Sequence, residues 1–104
     1  MDSLSNQDVK KCFNLILNEQ NMMFYEIWEL LSLNQRRLLI ALLKLGGQEI
    51  YSSRFLQSSN LSLGTIQKSL KALLDHDILE RTNEEVKIVD PFFAAWISKL
   101  NNGE

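Results

Sequence analysis

Apolar residues recur along the first 45 residues of this chain with the period of a helix. Val9, Phe13, Ile16 and Leu17 fall at that spacing, and so do Phe24, Ile27, Trp28 and Leu31. Between the two sets lies the polar stretch Asn18-Glu19-Gln20-Asn21, either a turn or an exposed helix face. The pattern predicts two helices, about 6–18 and 22–31. Ser32 then opens S-L-N-Q, a capping box in which Gln35 reaches back to the cap. The helix that follows, about 33–45, carries Leu38, Leu39, Leu42 and Leu43 on one face. Gly46-Gly47 ends it, because glycine accepts positive φ at a helix terminus.

Beyond the glycines the rhythm shortens. QEIY (48–51) reads as a short extended segment, and Ser52 or Ser53 caps a brief helix over about 53–59 that turns Phe55 and Leu56 inward. Ser58–Leu61 is the expected turn. Ser62 caps the next helix, 62–76, with Leu61 and Ile66 at the two positions of a hydrophobic staple. Leu63, Ile66, Leu70, Leu73 and Leu74 make its expected buried stripe; Gly64, Thr65, Gln67, Lys68, Lys71, Ala72 and Asp75 face the other way. ILERT (78–82) and VKIVD (86–90) flank Asn83-Glu84-Glu85 as a hairpin. Asp90-Pro91 places a cap and a first-turn proline ahead of a last helix bearing Phe92, Phe93, Trp96 and Ile97. Helix, short strand, helix, helix and hairpin form a winged helix-turn-helix. The expected fold is α+β, mostly α. Residues 1–31 supply connector or lid-like helices, and residues 32–100 the winged helix-turn-helix domain.

Composition narrows the chemistry. The 104 residues suit one domain with its own core, 45% hydrophobic and 23% charged. The single cysteine, Cys12, excludes an internal disulfide and a cysteine-based metal cluster. No signal-peptide pattern and no membrane-spanning run is present, so a cytoplasmic setting is expected. The net charge is −2, well short of a dedicated nucleic-acid binder. Its distribution says more. Residues 35–74 hold Arg36, Arg37, Lys44, Arg54, Lys68 and Lys71 against Glu49 alone, whereas the segments on either side are net acidic. The basic block coincides with the helices that precede the hairpin.

Three stretches carry a resemblance to a known family: MFYEIWELLSLNQRRLLIALL (23–43), LSLGTIQKSLKALLDHDILER (61–81) and VKIVDPFFAAWI (86–97), of which the DPFFAAWI ending is the most specific. Over about 23–97 the chain resembles the C-terminal winged-helix domain of bacterial and archaeal P-loop ATPases of the AAA+/STAND kind. The resemblance implies an accessory domain whose ATPase module lies upstream in the full-length protein, with residues 4–20 belonging to a helical lid or connector. A nucleotide-binding P-loop needs G-x-x-x-x-G-K-[ST]. None of Gly46, Gly47, Gly64 and Gly103 is followed by Lys-Ser or Lys-Thr, so this chain by itself is not expected to bind ATP, and no cofactor is expected.

Catalytic and metal chemistry find little support in the residues. His76, the lone histidine, reads as a surface or capping residue near a helix C-terminus. Asp75-His76-Asp77 is a poor metal set, because adjacent helical residues point in different directions. Cys12 reads as a small residue of an amphipathic helix. No enzyme activity of the chain's own and no metal site are expected. Thr65, Gln67, Lys68 and Lys71 form the one face suited to double-stranded DNA, where Gln pairs with adenine and Lys reaches guanine or phosphate. Arg54, Arg81 and Lys87 are placed to hold the backbone. Glu84 and Glu85 at the wing tip weigh against this, so the expected DNA affinity is weak and salt-dependent. A solvated helix face and a protein-docking surface are the competing readings. Arg36 and Arg37 could serve phosphate, the ATPase module or solvent. Phe92, Phe93 and Trp96 are expected to lid the core. Met22, Met23 and Trp28, if left bare, would favour self-association.

The functional expectation is a non-catalytic accessory domain of a P-loop ATPase that binds DNA or docks a partner, the upstream ATPase domain included. The alternatives are a free-standing regulator that forms a homodimer, or a purely protein-interacting, autoinhibitory domain. No membrane partner is expected.

Overall fold

The structure is a computed structural model and describes residues 6–101. Its elements are α1 (Asn6–Leu30), α2 (Leu33–Leu45), α3 (Ser53–Ser59), α4 (Leu63–Asp75), β1 (Leu79–Thr82), β2 (Glu85–Ile88) and α5 (Pro91–Asn101). They divide into two compact units between Leu30 and Leu31.

The first unit is α1, one unbroken helix of 25 residues where the sequence pattern predicts two. The polar stretch 18–21 is a solvent-facing part of this helix: Asn18, Glu19 and Asn21 are exposed and Gln20 is half-buried. With no Gly or Pro to break it, a stop here would orphan backbone N–H and C=O groups on both sides, so helix continues. Phe24 and Trp28 are buried, whereas Met22, Met23 and Tyr25 are exposed. Cys12 is a free, exposed thiol.

In the second unit α2 is central, touching α3, α4, α5 and β2. Its capping box forms as the sequence predicts: the Gln35 N–H donates to Ser32 Oγ at 3.2 Å, and the Ser32 N–H donates to Gln35 Oε1 at 2.9 Å. Leu38, Leu39, Ala41 and Leu42 are buried, with Leu43 only half-buried. Gly46 closes the helix at φ 85°, ψ 168°, an extended mirror-image conformation open essentially to glycine.

The expected strand over 48–51 is absent. The chain turns instead, with the Ser52 N–H donating to Glu49 O at 3.2 Å, because Ile50 must drop into the core. What survives of a third strand is one bond, from the Val86 N–H to Gly47 O at 2.9 Å. β1 and β2 pair antiparallel, Leu79 with Ile88 and Thr82 with Glu85, around the two-residue loop Asn83-Glu84. Asn83 takes the positive φ, 56°, that this tight turn needs.

Asp90 caps α5: its Oδ1 accepts from the Phe92 N–H at 2.8 Å and the Phe93 N–H at 3.4 Å. Phe93 and Ile97, four residues apart, are buried, and the Phe93 and Trp96 rings stack at 6.0 Å. Phe92 does not join the core lid; it is 66% exposed. Neighbouring helical residues project about 100° apart, so one face cannot hold both phenylalanines.

The carboxyl end of α4 is a Schellman motif with an unusual occupant. The Asp77 N–H donates to Leu74 O at 3.1 Å and the Ile78 N–H to Leu73 O at 3.0 Å, which leaves Asp77 left-handed at φ 59°. Glycine relieves that strain and removes a negative charge from the unfavourable end of the helix dipole. Asp77→Gly is expected to stabilise the fold by about 0.5–1 kcal/mol. A thermal melt should rise by a few degrees, and a fall would show that the Asp77 side chain has a stabilising role that outweighs the strain.

Candidate nucleic-acid interface

The helix-turn-helix is α3, Asn60-Leu61-Ser62 and α4. Ser52 seats α3 by accepting from the Phe55 N–H at 3.2 Å and donating to Glu49 O at 2.9 Å, and Phe55 is buried. Asn60 reverses the chain in a left-handed conformation, its N–H donating to Leu56 O at 3.0 Å. The turn therefore begins at Asn60, two residues after the expected start at Ser58, because Ser59 is buried and keeps its helical place. Ser62 caps α4, accepting from the Thr65 N–H at 3.2 Å and donating to Thr65 Oγ1 at 2.8 Å. Leu61 and Ile66, the staple pair, are both buried.

The buried stripe of α4 is Ile66, Ser69, Leu70 and Leu73. Leu63, expected inside, is 46% exposed, and Leu74 is half-buried. Gly64, Lys68, Lys71 and Asp75 fall along one ridge on the outside, all exposed, with exposed Gln67 on one flank and half-buried Thr65 and Ala72 on the other. Lys71 Nζ lies 3.0 Å from Asp75 Oδ2 in an open i,i+4 pair worth a few tenths of a kcal/mol. Lys68 forms no ion pair among the described residues, so it is the ridge's unneutralised cation.

The other candidates are dispersed. Arg54 borders a hollow with Gly46, Gln48 and Glu49. Arg81 borders the groove between residues 47–52 and the wing, near Tyr51 and Asn83. Arg81 pairs across the hairpin with buried Val86, whereas Lys87 pairs with Glu80. Strand side chains alternate, so Arg81 and Lys87 occupy opposite faces of the wing. Lys87 also sits 3.6 Å from Glu85 Oε1 and has acidic neighbours on its own face.

A groove between the amino ends of α2 and α4 brings Thr65 and Lys68 together with Ser32, Asn34, Gln35 and Ser69. Sequence reasoning missed these α2 residues and Ser69. The available signal was a serine in the middle of an apolar stripe, three residues after Ile66. His76 is the exposed C-cap of α4. Among the described residues no three His, Cys, Asp or Glu side chains gather to hold a metal, and no helix is long and apolar enough to cross a membrane.

Comparison with known proteins agrees with this geometry. No curated protein and no solved structure matches the chain. One family, described as "Probable winged helix domain", matches residues 22–99, from within α1 to the last turn of α5. Domains of this fold commonly bind DNA or other proteins. The capped α3–α4 pair, the hairpin wing and this match over most of the chain lead to one conclusion: the protein belongs to the probable winged helix domain family.

Proposed function

We propose that this chain is a non-catalytic winged-helix module that contacts double-stranded DNA through the outer face of α4, as the accessory domain of a P-loop ATPase. The observation that carries the DNA half is the ridge of α4, where Lys68 stands, unpaired among the described residues, with Gln67 and Lys71 beside it. Gln67 suits base edges, Lys68 suits guanine or phosphate, and Lys71 reaches phosphate once it leaves Asp75. Arg54 and Arg81 are candidates for backbone contacts. The ATPase half is supported by the resemblance over 23–97, above all by DPFFAAWI, whose Asp90 and Pro91 start α5 and whose Phe93 and Ile97 fill the core. The non-catalytic reading is supported by the setting of His76, which closes a helix in the open.

A protein-docking role is the second reading. It is favoured by Glu84 and Glu85 on the wing and by the exposed apolar side chains Leu33, Leu63 and Phe92. Fluorescence anisotropy of a labelled duplex, at about 50 and 200 mM salt, separates the two. Under the DNA reading the chain binds at low salt, weakens steeply with salt, and loses at least tenfold in affinity in the Lys68→Glu/Lys71→Glu double variant. Absence of wild-type binding at low salt sinks the DNA reading and favours docking.

A further inference from the structure

The groove between the amino ends of α2 and α4 has the chemistry of an oxyanion seat. Two helices of 13 residues each present their amino ends to it, and the first turn of a helix keeps N–H groups without intrahelical partners and a partial positive charge. Lys68 stands in its lining and none of the lining residues is acidic. Ser69 gives an independent indication. It is 95% buried at the groove wall, in the stripe of Ile66, Leu70 and Leu73, and its hydroxyl makes no hydrogen bond among the described residues. Every fully enclosed polar side-chain atom among these residues has a partner, so the Ser69 hydroxyl keeps its remaining opening toward the groove. Gly64 leaves the mouth clear, since a Cβ built there meets nothing within 4 Å.

We infer that this groove seats one phosphodiester of a DNA duplex, with the Lys68 ammonium facing its charge and the Ser69 hydroxyl donating to a non-bridging oxygen. The inference rests on the DNA reading of α4 and sharpens it. One flank of the helix is clamped to the backbone by α2, which sets how deeply Gln67 enters the major groove. The seat gives the open Ser69 hydroxyl a charged acceptor in place of water.

The test uses the open mouth. A Cβ at Gly64 displaces no neighbour, and Gly64→Glu and Gly64→Gln both replace a helical glycine, so both variants should melt above the wild type. On duplex DNA the Glu variant is expected to bind at least tenfold more weakly than the Gln variant, because its carboxylate faces the phosphate. Ser69→Ala is expected to lose about tenfold, the loss of one hydrogen bond to a charged group. In a duplex scanned with single neutral methylphosphonates, one position should weaken the wild type by more than it weakens Ser69→Ala. If wild-type binding holds while Gly64→Glu matches Gly64→Gln, or while Ser69→Ala loses nothing, the seat is overturned and the α4 reading survives. If the wild type fails to bind duplex at low salt, both fall together.

Discussion

Gly47→Ala is expected to destabilise this protein by about 3–5 kcal/mol, a large share of the roughly 5–15 kcal/mol available to a domain of this size. A Cβ on Gly47 would lie 1.8 Å from the carbonyl oxygen of Val86 and 2.8 Å from its carbonyl carbon. Both obstacles are backbone, so no rotamer change relieves the overlap. Relief requires β2 to move away from the 47–52 segment. That breaks the bond from the Val86 N–H to Gly47 O and draws Val86, 3% exposed, out of the core. A buried amide left unsatisfied costs about 1–3 kcal/mol, and forced repacking a similar amount. Gly46→Ala is the informative neighbour. There the added carbon meets nothing, and the cost is the φ of 85° alone, about 1–3 kcal/mol. Urea denaturation of both variants checks the ranking. A Gly47→Ala protein with wild-type stability would mean that the wing is not held against this segment.

The second large effect is expected at Ile66→Ala. Ile66 is fully buried in the middle of α4, and its removal leaves a cavity as well as losing burial, for a cost of about 2–5 kcal/mol. Leu63→Ala, three residues earlier, is expected to change stability by less than about 0.5 kcal/mol, because Leu63 is half open to water. The pair tests how α4 is rolled on the core, which decides which side chains a ligand meets. Equal losses at the two positions in a denaturant titration would mean that the helix is rotated, and that Lys68 is not on the outer ridge.

Much of this was legible in the chain itself. Ser32, Ser52, Ser62 and Asp90 each sit directly ahead of an apolar period, and each caps its helix, because a cap is a bond between residues two or three apart. The hairpin was legible for the same reason. Other features depended on distant partners. The short segment QEIY at 48–51 suggested a strand, but β2 bonds only to Gly47 there, and Ile50 is drawn inward by the core. Phe92 and Phe93 looked equivalent until α5 had to choose one face.

Local hydrogen bonding and composition were enough to set the order of the second unit's helices and hairpin, their caps, and the basic block from Arg36 to Lys71. The candidate site was decided by tertiary structure. Only the packing of α2 against α4 could set Ser69 and Lys68 beside Ser32 and Gln35, residues more than thirty positions away. Only strand pairing could put Arg81 and Lys87 on opposite faces of the wing. Local spacing fixes which face of an element a side chain takes, but what that face meets depends on how the elements pack, and hydrophobic burial, being non-directional, leaves that choice to the whole core.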